Sequence, residues 1–293
     1  MGLPLQDTVV TFPAGEVTAV SEVLHVATVP SGVAVVTGST PFHPVDPRWP
    51  DQGPDRGTLT VGGLGYPVID VTYGATDGES FYVGDEVPVR RGTPGWAFLV
   101  VHVLPGGTPP PALGAAATLT VDAQYRAALS AGHTACHVAA LALNAALADR
   151  WRKDPGVDGL GSPGFDGRAL TSSRILPDGA VDSYRIGKSL RKSGFDTEGL
   201  AAAVPSVTAE VNRRLAEWIA AAAQVRIEVA GPRLTDLREW VCDLAAGSAR
   251  IPCGGTHVDS LGAFDTVTVE LDLDEPNQSL VMRTSAARSS APR

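Results

Sequence analysis

A chain of 293 residues, 44% of them hydrophobic, has material for one large domain or two modest ones and for a substantial core. Its formal net charge of −9 argues against an indiscriminate nucleic-acid binder, which is normally basic, but leaves room for a local basic patch. Three cysteines make no disulfide scaffold, residues 1–10 carry no signal-peptide pattern, and no apolar run reaches the roughly eighteen residues of a membrane span, so a cytoplasmic protein with no membrane partner is expected.

Residues 1–121 are rich in Val, Thr, Gly and Pro, and strands are predicted over 16–29, 32–36, 58–61, 66–73, 97–104 and 116–121, while the strand-like run 8–12 is too short to carry weight. Turn residues separate them: Pro30-Ser31-Gly32, Gly62-Gly63, Asp77-Gly78 and Pro105-Gly106-Gly107. A small β-barrel or β-sandwich is the natural reading of this first domain. His25 and His102 fall in apolar strands and read as structural.

Residues 122–283 change character. Asp122 is a favoured N-cap, and 123–151, rich in Ala and Leu without proline, is predicted as a long helix. Gly132 interrupts it at a cost of about 1 kcal/mol relative to Ala. It marks either a close approach of backbone or substrate, or tight helix packing. Residues 153–194 are rich in Gly, Ser and Asp, with strand-like pieces near Ile175 and 184–186. Gly187-Lys188-Ser189 is no phosphate loop, because the required first glycine is Asp182. Residues 207–223 are predicted as a helix, with Val207, Val211, Leu215 and Ile219 as its apolar stripe. A strand is expected over 225–229, a helix capped by Thr235 runs to about Leu244, and a strand of alternating polarity covers 264–273. The tail 284–293 is expected to be disordered. The whole is an α+β chain: a β-barrel-like domain, then helices on an antiparallel sheet.

Two short motifs carry the chemistry. In Gly132-His133-Thr134-Ala135-Cys136-His137, the two histidines lie four residues apart and share a helix face. The distant Cys253-Gly254-Gly255-Thr256-His257 adds a thiolate and a third imidazole. Three nitrogens and one sulfur suit tetrahedral Zn2+. Only six histidines occur in the chain, and half of them fall in these motifs. Cys136 points about 100° away from His137 around the helix and lies outside the set. The residue after His133 is Thr134, not Glu, so the HExxH protease arrangement is absent. Arg185, Lys188, Arg191 and Lys192 form the densest basic cluster, which reads either as a solvated face or as a contact for RNA phosphates.

The HTACH and CGGTH pair resembles the zinc site of the alanyl-tRNA synthetase editing domain and of its free-standing relatives, the AlaX proteins. Thr40-Pro41-Phe42-His43-Pro44, followed by Asp55-Arg56-Gly57-Thr58-Leu59, is similar to that family's TPFYP and DxGxL patterns. Val121-Asp122 with Arg126 is similar to its VD…R lead-in to the metal helix. The likeness runs, with gaps, over about 34–286. It implies an elongation-factor-like barrel followed by an editing domain. It also implies Zn2+ on His133, His137, Cys253 and His257, and hydrolysis of mischarged alanine tRNA, typically seryl-tRNA. The resemblance implies that Gln52 keeps the role of the family's GGGQ glutamine in the reaction, on a different local backbone. Substrate contacts are implied for Gln52, Cys136, Gly254, Gly255 and Thr256, with Arg185, Lys188, Arg191 and Lys192 toward tRNA. The sequence departs from the family at Arg48-Trp49-Pro50-Asp51, where glycines are expected, and at Cys136, where the synthetase branch carries threonine. Two other readings stay open: a metal-dependent hydrolase of a small ester or amide, and a non-catalytic zinc or RNA-binding module.

Overall fold

A computed structural model describes residues 2–47 and 50–289, in two units. The first comprises Met1–Arg126, Val229–Arg238 and Gly254–Thr256; the second comprises Ala127–Glu228, Glu239–Cys253 and His257–Arg293. The fold is mixed α+β with mostly antiparallel sheets.

The Val- and Thr-rich runs of the first unit form β1 (Val9–Val10), β2 (Thr18–Val29), β3 (Gly32–Thr37), β4 (Ser39–Thr40), β5 (Gly57–Val61), β6 (Leu64–Val68), β7 (Asp70–Thr76), β8 (Phe81–Val83), β9 (Ala97–Leu104) and β10 (Ala116–Val121). β1 and β4 make a short parallel pair, and the others form one sheet in the order β6-β5-β10-β2-β3-β9-β7-β8. The strand expected over 66–73 is two strands. The chain breaks at Ile69, where β6 stays with β5 and β7 moves to β9. The sheet therefore curls, since neighbours in sequence sit near its opposite ends. It does not close: among the described residues no ladder joins β6 to β8, and the expected barrel is not found. β8 is only three residues long before the chain turns at Gly84, leaving too little edge to pair. Phe42, Leu59, Val71, Phe98, Val100 and Leu119 fill the interior.

A polar knot lies in this unit. The Thr40 hydroxyl is 2.8 Å from Nε2 of His102, whose Nδ1 is 3.1 Å from the Val35 carbonyl. Burial pushes His102 down to about 4, so the ring is neutral near pH 7. Nδ1–H then donates to Val35, and Nε2 accepts from Thr40. His102 is consumed by the fold. Beside it, Arg126 Nε donates to Asp55 Oδ1 at 2.7 Å, and its other nitrogens reach Asp55 Oδ2 and the Pro41 carbonyl. Asp55 also accepts the His43 N–H. Both charges are almost fully buried.

The second unit follows from α1 (Ala123–Ala146), whose residues from Ala127 belong to it. Asp122 Oδ1 accepts the N–H groups of Gln124 and Tyr125, satisfying orphan donors at the helix start. After α1 come α2 (Phe165–Ala169), β11 (Leu170–Leu176), β12 (Gly179–Arg185), α3 (Lys188–Lys192), α4 (Leu200–Ala220), β13 (Val225–Val229), β14 (Arg238–Leu244), β15 (Gly247–Pro252), β16 (Phe264–Asp274) and β17 (Ser279–Arg288). β11-β12-β17-β16 make one sheet and β13-β14-β15 another. The predicted stripe Val207, Val211, Leu215 and Ile219 is buried. Asn212 on the same helix pairs with both backbone groups of Val269 in β16.

Two stretches differ from expectation. The helix expected after Thr235 is the strand β14, because Trp240, Val241 and Cys242 are all buried and the run pairs with β15. The tail expected to be disordered from Thr284 instead continues as β17 to Arg288, in register with β12 and β16. Residues 290–293 lie outside the described residues.

Gly132 has a structural reason. A Cβ there would meet the Leu176 carbonyl oxygen at 2.2 Å and the Gly179 carbonyl oxygen at 2.5 Å. The turn between β11 and β12 packs directly on α1. Gly132→Ala should therefore destabilise the protein by more than 1 kcal/mol, despite the roughly 1 kcal/mol gain in helix propensity. Urea unfolding would check this; a variant as stable as the parent would show that the turn yields freely.

Candidate metal centre

α1 carries His133 and His137 one turn apart, and Cys253 and His257 arrive from the segment after β15. All four belong to the second unit. Their candidate ligand atoms lie within 4.8 Å of one another. Cys253 Sγ is 3.5 Å from His133 Nε2 and 3.2 Å from His257 Nε2. Bonds of about 2.0–2.3 Å at tetrahedral angles require donors about 3.3–3.6 Å apart, so the first spacing fits such an ion and the second is slightly shorter. The ring centroids of His133 and His257 are 4.3 Å apart, and those of His133 and His137 are 4.8 Å apart.

The chemistry of the donor set fits as well. Burial pushes the Cys253 thiol up, but His133, His257 and His137 more than offset this and hold it well below its ordinary value. A thiolate is the form a metal binds. Burial, and then His133, drop His257 to about 3, which keeps that imidazole neutral. Nε2 of His137 is buried without a hydrogen-bond partner among the described residues. An unmade bond of this kind costs about 1–3 kcal/mol, and a metal ion on this nitrogen would remove that cost. These four residues form a group that could hold a metal ion. His133 and Cys253 are buried, whereas His137 and His257 are half-buried as whole residues.

Further side chains brace the group. Thr134 Oγ1 is 3.2 Å from His257 Nδ1 and accepts the Val258 N–H at 3.2 Å. Trp240, fully buried, sets its ring 5.0 Å from that of His137. Sequence reasoning missed both braces. Thr134 stands inside the motif, but the sequence marks it only by the absence of a glutamate. Trp240 falls in the stretch expected to be a helix, and no local signal aims it at the histidines.

Cys136 points elsewhere, as its helical angle requires. Its Sγ is 3.5 Å from Asp182 Oδ2 and 3.8 Å from Ser173 Oγ. Burial, reinforced by Asp182, raises this thiol well above its ordinary value. Burial likewise pushes Asp182 up to about 6. Asp182 and its neighbour Asp166, which accepts from the Tyr184 hydroxyl, were not singled out from sequence.

Gln52 lies in the first unit with Gly254, Gly255 and Thr256. It is 1% exposed. Its Oε1 accepts the Thr256 N–H at 3.0 Å, and its Nε2 donates to the Thr256 hydroxyl at 2.9 Å. Gln52 thus clamps the residue that precedes His257 in the chain. Arg48 and Trp49, two of the departures from the glycine motif, lie outside the described residues.

Lys188, Arg191 and Lys192 stand together on α3, with Arg185 at the end of β12, and all four are exposed. Lys153 Nζ donates to the Lys192 carbonyl at 3.5 Å and so joins the same face. Arg152 is instead ion-paired with Asp196 at 2.6 Å. Among the described residues the four clustered cations form no ion pair with an acidic side chain. No helix is long and apolar enough to cross a membrane among the described residues.

Compared with known proteins, the chain matches no family model and no curated protein.

Proposed function

We propose that this protein is a zinc-dependent hydrolase of the ester that joins an amino acid to tRNA, acting on mischarged alanine tRNA and most readily on its seryl form. The observation that supports this reading is the gathering of His133, His137, Cys253 and His257 from two motifs that resemble the AlaX metal site. Zinc bound there supplies Lewis acidity, activating water or polarising an ester carbonyl. The residues of the chain do the rest. Cys253 offers a thiolate and His257 a neutral imidazole, with His133 and His137 completing the donor group beside which an acyl group would bind. With Thr134 in place of a glutamate, no carboxylate general base adjoins His133, which favours an activated ester over a peptide. Both ends of the Gln52 amide are engaged on Thr256, so Gln52 serves by holding the turn before His257. Cys136 faces Asp182 and Ser173, on another side of the helix from the donor group, so any part it has in choosing the acyl group is indirect.

Deacylation of seryl- and alanyl-tRNA with and without a chelator tests the reading. Chelator-sensitive release of serine supports it. Zinc bound without any hydrolysis would favour a structural zinc module, which four protein donors also suit. Cleavage of small aminoacyl esters without action on tRNA would favour a small-substrate hydrolase.

The unpaired cluster on α3 is the proposed contact for tRNA phosphates. Lys188→Ala, Arg191→Ala and Lys192→Ala together should weaken tRNA deacylation and flatten its log–log salt dependence by about 2–3, while leaving metal content unchanged. Equal rates for variant and parent across a salt series would make the cluster a solvated face.

A further inference from the structure

We infer that Thr134 is a positioning residue that fixes the tautomer of His257 and so presents Nε2 of that ring to a metal. This rests on the metal reading of the site. Thr134 is fully buried, and its hydroxyl ties α1 to the segment after the CGGTH turn. The His257 ring is held from both sides: Nδ1 is 3.2 Å from Thr134 Oγ1, and Nε2 is 3.2 Å from Cys253 Sγ, inside the donor group.

A neutral imidazole carries one N–H, and only the other nitrogen has a lone pair for a metal. With Nε2 facing the donors, the proton belongs on Nδ1, and the acceptor placed for it is Thr134 Oγ1. A hydroxyl oxygen accepts two hydrogen bonds. The Val258 N–H, which can only donate, takes one; Nδ1–H takes the other. If the hydroxyl instead donated to Nδ1, the proton would move to Nε2 and close that donor. Partners of this kind are worth about 10–100-fold in metal affinity.

The test is zinc affinity, measured by competition with a chromogenic chelator on the full-length protein. Thr134→Val removes the hydroxyl at nearly constant volume, and Thr134→Ser keeps it. The valine variant should bind zinc about 10–100-fold more weakly than the parent, with serine close to the parent. A second measurement needs no variant. Long-range proton–nitrogen NMR of the zinc-loaded parent should show His257 ligated through Nε2 with its proton on Nδ1. Zinc binding by Thr134→Val equal to that of the parent, or ligation through Nδ1, overturns the inference while leaving the metal site standing. A parent that binds no zinc overturns both. If the valine variant does not fold, the NMR result decides alone.

Discussion

Cys253→Ala should strip the protein of its metal. Apparent binding free energies of about 10–16 kcal/mol for four-donor zinc sites put one donor at about 3–4 kcal/mol, or ~10²–10³-fold in affinity. The true loss should lie at the upper end. Cys253 is the sole thiolate among the four donors and the one whose sulfur lies against both His133 and His257. Cys136→Ser and Cys242→Ser are the controls. The first sulfur faces Asp182 and the second is buried in β14, so both variants should hold metal as the parent does. The parent should also lose thermal stability on chelation, whereas Cys253→Ala should be indifferent to chelator. Metal content by atomic absorption after dialysis settles the matter. One equivalent retained by Cys253→Ala would end the four-donor assignment.

The second large effect is expected at the buried ion pair of the first unit. Arg126→Met leaves Asp55 buried, with the His43 N–H as the remaining hydrogen bond to its carboxylate among the described residues. Removing one partner of a buried ion pair costs about 3–5 kcal/mol, a large share of a typical domain's stability. The pair itself need not be stabilising relative to an apolar replacement. Arg126→Met combined with Asp55→Leu should therefore recover much of the loss. Chemical denaturation of the two single variants and the double variant, as a cycle, measures the coupling. A cost below about 1 kcal/mol for Arg126→Met would mean that water reaches Asp55.

The same pair shows how far the sequence could be read. Asp55 belongs to the DxGxL-like pattern and Arg126 to the VD…R-like pattern, both drawn from resemblance, and neither pattern says that the two residues meet. The structure gives them one purpose: each satisfies the other's buried charge, and Pro41 of the TPF stretch accepts a further bond. The helix holding His133 and His137 was legible because its signals are local: a cap at Asp122, alanines and leucines, and histidines at one-turn spacing. The donor set was legible because thiolate and imidazole chemistry is narrow. β14 was not. Thr235 resembles a helix cap, and only pairing with β15 makes Arg238–Leu244 a strand. The open edge between β6 and β8 was equally hidden. Closure depends on the lengths of the last strands and on the break at Ile69, none of which alternation of polarity records. Gly132 was flagged by its misfit in a helix, but its cause lies in the β11–β12 turn, across the packing of the unit.

His133 and His137 are neighbours on one helix, but Cys253 comes to His133 from 120 residues away. Closing so long a loop is slow compared with winding a helix, and its entropy must be met before the contact gives anything back. During refolding, the two helix histidines should therefore be in place well before the thiolate reaches them. Cobalt offered in place of zinc would make that arrival visible, since the sulfur-to-metal absorption band requires the thiolate. The band would time the last long-range closure of this unit, separately from the circular dichroism of its helices.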